Sequence, residues 1–206
     1  MPKQTFYNLP EEKRERLINA IYQEFSRVSY EDVSINKIIG IAKIPRGSFY
    51  QYFEDKHDVL EFVLEEYQKE ILKQTEESLS KNHGDIFAMF LDLMDFTFSQ
   101  LRSKGEGHAW MRILSDMRFN VEAFTMNRNY QSRHVKSELI EKIFSLIDKN
   151  KLDIREEDDL EGMLRVLIPY AAFSFAQTFR DTDDNYNVNR ERFRKQLELI
   201  KRGFAK

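Results

Sequence analysis

Residues 34–56 read SINKIIGIAKIPRGSFYQYFEDK, and the fold is decided by how this stretch is taken. Ser34 is a favourable helix N-cap, and Ile35, Ile38, Ile39 and Ala42 follow it at helical spacing, which predicts a short helix with one apolar face. Pro45 disfavours helical backbone at Ile44 and suits the first turn of a new helix. The first helix is therefore expected to end near residues 43–45, and a second to cover about 45–53. Phe49 and Phe53, four apart, point toward a core, leaving Gly47, Ser48, Tyr50 and Gln51 facing outward. Two short helices joined by such a turn form a helix-turn-helix, whose second helix lies in the major groove of DNA. On spacing alone, a plain helical hairpin with incidental polar residues accounts for the stretch equally well.

The outward side carries chemistry suited to DNA. An arginine such as Arg46 makes bidentate contacts to guanine O6 and N7, and a glutamine such as Gln51 does the same to adenine. Gly47 lets backbone approach closely, while Ser34, Ser48, Tyr50, Tyr52 and Lys56 are donors able to hold phosphates. Bulk charge does not help. The 206 residues carry a net charge of −3, and residues 1–60 hold nine Lys/Arg against nine Asp/Glu. Binding must rest on a few placed cations, not on a basic domain.

Outward from this stretch the chain reads as all-α, with about nine helices, scarce Gly and Pro, and no strand-like alternation. Residues 1–8 are expected to be a loose arm. Pro10, Glu11 and Glu12 start a helix whose apolar stripe is Leu17, Ile18, Ile21, Tyr22 and Phe25. Lys13, Arg14 and Arg16 near its start suit either phosphate contact or a solvated face. Asp55 caps a fourth helix that reaches about residue 81 and ends at Asn82-His83-Gly84. Residues 85–102 are apolar nearly all round, as a central helix is, with Asp92 and Asp95 on a narrow polar strip expected to face solvent. Further helices are expected at 110–117, 121–149, 156–179 (with Pro169 inside) and 189–202, the last capped by Asn189. The division expected is residues 1–60 for a helix-turn-helix DNA-binding domain and 61–206 for a larger helical domain.

Over roughly residues 10–60 the chain resembles the DNA-binding segment of TetR-family transcriptional regulators, with the matching positions at 34–60. Ser34, Ile38, Ala42, Ile44, Gly47, Ser48, Phe49, Tyr50, Tyr52, Phe53, Lys56 and Leu60 stand in register with that family's loose pattern, T-x-x-x-I-A-x-x-A-G-V-S-x-G-T-L-Y-x-Y-F-x-S-K-x-x-L-L. Ile39, Lys43 and Pro45 depart from it, replacing the usual Ala, turn Gly and Ser/Thr. A left-handed turn conformation at Lys43 would carry a steric cost. The resemblance implies that Arg46, Gly47, Ser48 and Gln51 face bases, that Ser34, Tyr50, Tyr52 and Lys56 hold the DNA backbone, and that Lys43 adds a cation beside the groove.

It also implies that the C-terminal part binds a small effector and dimerises through its last two long helices. Residues 85–179 hold ten of the 17 Phe, six of the seven Met and the only Trp, a composition that suits a core or an adaptable apolar pocket. Phe90, Met94, Trp110, Met111, Leu114, Phe124 and Phe173 are the candidate pocket residues, for an apolar or amphipathic effector. Ile168, Ala171, Ala172, Phe175, Phe193, Leu197 and Ile200 are the candidate dimer contacts. A symmetric dimer suits a palindromic operator in double-stranded DNA. The function expected is a homodimeric transcriptional regulator, a repressor released from DNA by its effector. The alternative is a DNA-binding dimer controlled by a partner protein with no small ligand.

Other classes find little support. No cysteine is present, so disulfides and thiolate metal sites are excluded. The loop at 181–187 begins like a calcium loop but has Tyr186 and Arg192 where Gly and Glu are needed. No H-E-x-x-H, P-loop or dinucleotide-binding glycine pattern occurs, so no cofactor or enzymatic activity is expected. Neither a membrane span nor a signal peptide is evident, which makes the cytoplasm the expected location.

Overall fold

The computed structural model of the chain describes residues 2–102, 109–110, 112–113, 137–156, 158–180 and 185–204. Among them are nine α-helices, two short 3-10 turns and no strand. The chain forms two compact units: Met1–Glu70 with Gln100–Val121, and Ile71–Ser99 with Glu122–Lys206.

In the first unit, α1 (Gln4–Tyr7) precedes α2 (Glu11–Arg27), α3 (Ile35–Ala42), α4 (Arg46–Tyr52) and the first half of α5 (Lys56–Lys81). Leu17, Ala20, Ile21 and Phe25 of α2, Ile38 and Ala42 of α3, Phe49 of α4, then Phe53, and Val59, Leu60 and Val63 of α5 are all buried, as their spacing demands. The start of α5 is closed by reciprocal bonds. The Asp58 amide donates to Asp55 Oδ1 and the Glu54 amide to Asp58 Oδ2, both at 2.9 Å. Ala109, Trp110 and Ile113 are buried here too, and the Trp110 ring lies 6.1 Å from Tyr22 and 5.7 Å from Tyr67. The arm at residues 1–8 is not loose. Phe6 of α1 is 1% exposed, its ring 5.2 Å from Phe53 and 5.3 Å from Phe62. Four helical residues are too few to show a period, and Phe6's partners lie far along the chain.

The second unit holds the rest of α5, α6 (Ile86–Arg102) up to Ser99, α7 (Ser137–Leu146), α8 (Asp159–Arg180) and α9 (Tyr186–Phe204). Its core joins Phe87, Phe90, Leu93 and Met94 of α6 to Met163, Leu167 and Ala171 of α8 and to Phe193 and Leu197 of α9. Gly84, between α5 and α6, has φ +75°, and a Cβ there would stand 2.4 Å from the Asp148 amide nitrogen. That turn therefore requires glycine. Helix α9 begins at Tyr186 and not at a cap on Asn189, which is buried inside it.

The acidic strip of α6 does not face open solvent. Asp92 accepts from Ser78 Oγ at 2.7 Å, Asn82 Nδ2 at 2.8 Å and Lys81 Nζ at 3.3 Å. Burial raises the Asp92 carboxyl, but these donors and the lysine charge outweigh it and hold it below the usual carboxylate range. Asp95 pairs with Arg190 (Nη2 to Oδ2 2.8 Å) and accepts from the Tyr186 hydroxyl, while Tyr186 stacks on Phe98 at 3.7 Å. These carboxylates clasp α6 to α5 and to α9, respectively.

Candidate nucleic-acid interface

Helix α3 ends where residue 43 turns left-handed. Lys43 has φ 53° and ψ 46°; its amide donates to the Gly40 carbonyl at 3.4 Å and the Ile44 amide to the Ile39 carbonyl at 3.3 Å. This is the double closure of a Schellman turn, made with lysine where glycine is the easier residue. Arg16 Nε of α2 donates to the Ala42 carbonyl at 2.9 Å, which ties α2 to the end of α3. Arg14 similarly donates to the Tyr7 carbonyl at 3.3 Å. Pro45 sits at the N-cap position with extended backbone, one residue ahead of α4. Residues 43–45 are thus the turn of a helix-turn-helix, and α3 and α4 are its two helices.

The outer side of α4 is as the sequence orders it. Arg46, Gly47, Tyr50 and Gln51 are exposed and Ser48 and Tyr52 half-buried, while Phe49 is buried. Arg46 Nη1 donates to Asn36 Oδ1 of α3 at 3.2 Å, and its guanidinium lies 6.0 Å from the Tyr50 ring centre. Asn36 thus steadies the arginine from the neighbouring helix, a contact that α4's own spacing gives no hint of. Apart from its chain neighbours and its own helix backbone, no atom of the described residues comes within 4 Å of a Cβ built on Gly47, so packing among them does not call for glycine there. An approaching ligand backbone would. Lys43 is exposed beside this surface.

Two residues assigned to the DNA backbone have work inside the protein. The Ser34 side chain makes no cap bond; its amide instead donates to Glu24 Oε1 at 3.1 Å. Glu24 is fully buried and is held by Arg27 through two bonds of 2.9 Å. Burial raises its carboxyl, and the Arg27 and Ser34 donors more than reverse this, leaving it below its ordinary value. The sequence signal for Glu24 was a lone acid within the α2 apolar stripe, between Ile21 and Phe25. Lys56 Nζ donates to the Glu31 carbonyl at 2.8 Å and lies 4.7 Å from the Tyr30 ring centre, tying α5 to the turn between α2 and α3.

Four of the seven candidate pocket residues lie among the described residues. Phe90 and Met94 lie in the packed core of the second unit, and Trp110 in that of the first. Phe173, expected in the interior, is 61% exposed on α8. Met111, Leu114 and Phe124 lie outside the described residues. Two open depressions of about 570 and 530 Å³ lie at residues 141–150 and 187–195. Among the candidate dimer contacts, Ala171, Phe193 and Leu197 are buried within the second unit, so their apolar surface is already used inside the chain. Phe175 and Ile200 are half-buried against the same core, and Ile168 and Ala172 are exposed. The apolar surface that α8 and α9 do leave open is Val166, Ile168, Phe173, Val188 and Leu199, each at least half exposed. The carboxylates of Glu156, Asp158 and Asp159 lie close together, but Asp159 already accepts the Arg155 and Glu156 amides at 2.7 and 2.9 Å. Among the described residues, no helix is long and apolar enough to cross a membrane.

Comparison with known proteins agrees with this geometry. Residues 17–63 match the family described as bacterial regulatory proteins, tetR family, and residues 85–204 the tetracyclin repressor-like C-terminal domain. The HTH-type transcriptional regulator HbdR of Aromatoleum sp. (strain CIB) is 40% identical over 72 residues, which cover 33% of this chain and 31% of HbdR. The HTH-type regulator YdgC of Bacillus subtilis (strain 168) is 31% identical over 71 residues, or 34% of this chain and 36% of YdgC. Both matches thus span about a third of the relative. A TetR-family regulator from Pectobacterium atrosepticum shares the fold at TM-score 0.63 and 19% identity over 95% of each chain. So does the fatty acid degradation regulator FadR of Bacillus halodurans, at TM-score 0.59 and 16% identity over 92% of this chain and 96% of that one. A gamma-butyrolactone receptor follows at TM-score 0.53 and 18% identity, over 95% and 89%.

Proposed function

This chain belongs to the TetR family of bacterial transcriptional regulators, and on that premise we propose that it is a homodimeric repressor, released from a palindromic operator by an apolar or amphipathic small molecule. The observation that carries the reading is the α3–α4 surface. Arg46, steadied by Asn36, and the exposed Gln51 and Gly47 project from a helix whose opposite side is locked by buried Phe49. In this reading Arg46, Gly47, Ser48 and Gln51 meet base edges, and Ser34, Lys43, Tyr50, Tyr52 and Lys56 lie along the phosphates. Residues 1–60 bind DNA, residues 61–206 sense and dimerise, and the protein works in the cytoplasm by binding and not by catalysis.

Dimerisation is supported by the open apolar faces of α8 and α9. Val166 and Phe173, seven positions apart on α8, and Val188 and Leu199, eleven apart on α9, each share one side of their helix and are more than half exposed. The effector class is supported by the Phe- and Met-rich second half, and by the fold shared with a gamma-butyrolactone receptor and a fatty acid degradation regulator. The test is a gel-shift on a sequence obtained by binding-site selection, followed by a screen for compounds that abolish the shift. A shift relieved by apolar or amphipathic compounds supports the reading. A shift that no small molecule relieves, but a co-purifying protein does, would favour control by a partner protein.

A further inference from the structure

A seven-residue helix is too short to hold itself, and its last four carbonyls have no partner within it. In α4 these are Phe49, Tyr50, Gln51 and Tyr52. The Phe49 carbonyl accepts the Phe53 amide at 2.9 Å, just beyond the helix. The other three are taken by the first few residues of the chain. Lys3 Nζ donates to the Tyr50 carbonyl at 3.0 Å, Thr5 Oγ1 to the Gln51 carbonyl, and the Lys3 amide to the Tyr52 carbonyl at 2.8 Å. Phe6 anchors the arm between Phe53 and Phe62, at the end of α4 and on α5. Pro2 is buried as well.

We propose that the N-terminal arm, through Lys3, Thr5 and Phe6, is a positioning element for DNA recognition: it completes the C-terminal end of α4 and fixes the direction in which Arg46 and Gln51 are presented. Tyr50 and Gln51, which face outward, are two of the three residues whose carbonyls the arm holds. Loosening that end frees the turn of helix from which Gln51 projects, while Phe49 stays buried and the fold stays closed. The arm is thus a specificity device and not a mere extension of the chain. This rests on the reading of α4 as the base-contacting helix.

The test uses the full chain with Lys3→Pro and Thr5→Val, singly and together. Lys3 has φ −71° and ψ 157°, so proline fits its backbone while removing both the amide and the ammonium donor. Valine matches threonine in shape and removes only the hydroxyl. In the DNA-free protein, amide exchange within residues 50–53 should speed up roughly tenfold in the double variant, with the melting transition still well above the assay temperature. On the selected operator, affinity should fall roughly tenfold, with affinity for random DNA unchanged, and Thr5→Ser should bind as the wild type does. Unaltered exchange in α4 would overturn the proposal without reference to DNA. Operator affinity within twofold of wild type would overturn it too, and so would equal losses on operator and random DNA with a shallower salt dependence, which assign Lys3 to a phosphate. A wild-type chain that selects no DNA sequence removes the base-reading premise instead, and the exchange experiment still decides whether the arm braces α4.

Discussion

Arg46 and Glu24 show how differently two charged residues serve the same surface. Arg46 is exposed, held by Asn36 and lying over the Tyr50 ring, partners it can exchange for a guanine edge. Arg46→Ala should therefore cost about 1–3 kcal/mol on the selected site and relax one base position, with little change on random DNA. Titrations against operator and scrambled DNA check this, and equal losses on both would remove its base-reading role. Glu24 acts from inside, joining α2 to the start of α3 through the Ser34 amide while Arg27 of its own helix pairs its charge. Its folded pKa lies below the unfolded one, so the stability it gives is present above the unfolded carboxylate value and is lost as pH falls through the folded value. Glu24→Gln should lower folding stability by about 1–3 kcal/mol at neutral pH and flatten part of the acid limb of the stability curve. Denaturant titrations from pH 7 downward measure both. Arg46 was legible because its residue type suits a guanine edge and the family register sets it at the start of the second helix. The use made of Glu24 was not, since its partner Ser34 is joined to it by a turn that no period reveals, although a lone acid in an apolar stripe marked the place.

Among the elements, the turn at residues 43–45 and the arm before α2 stand at opposite ends of what a sequence can say. Pro45 announces the turn; at Lys43, where glycine is usual, the sequence shows only that a left-handed conformation would be costly, and the backbone adopts it all the same. Lys43→Gly should stabilise the fold by about 1 kcal/mol, because the strain of a Cβ in that conformation disappears. Thermal melts of the two proteins decide it, and a destabilised glycine variant would mean that Lys43 is held by contacts stronger than its strain. Helix α1 went unread because its reason for forming lies elsewhere. Phe6 is buried only once Phe53 and Phe62 have come together, and its neighbours cap carbonyls some 46–49 positions away. The start of α9 was misplaced for a related reason. Asn189 has the chemistry of a cap, but Tyr186 ahead of it is held by Asp95 on α6 and opens the helix.

For the whole molecule, composition and spacing reached the all-helical class, and the register match reached the family, but neither reached the division of surfaces between core and interface. Phe193 and Leu197 look like an interface stripe in the sequence and pack inside the subunit; Phe173 looks like interior and lies outside. Apolar spacing identifies a buried side without saying whether the subunit or its partner buries it. The open faces of α8 and α9 are where a second copy is expected, so Leu199→Arg together with Phe173→Glu should shift the protein from dimer to monomer in sedimentation and abolish operator binding while leaving it helical. A dimer that survives both changes would move the interface elsewhere. Whether α4 reads DNA from a symmetric dimer is decided by selecting binding sites from a random library with the whole 206-residue chain. An inverted repeat should be enriched, with half-sites centred about one helical turn, or a multiple of it, apart. Enrichment of no sequence, or only of an unrepeated half-site bound by a monomer, would contradict it.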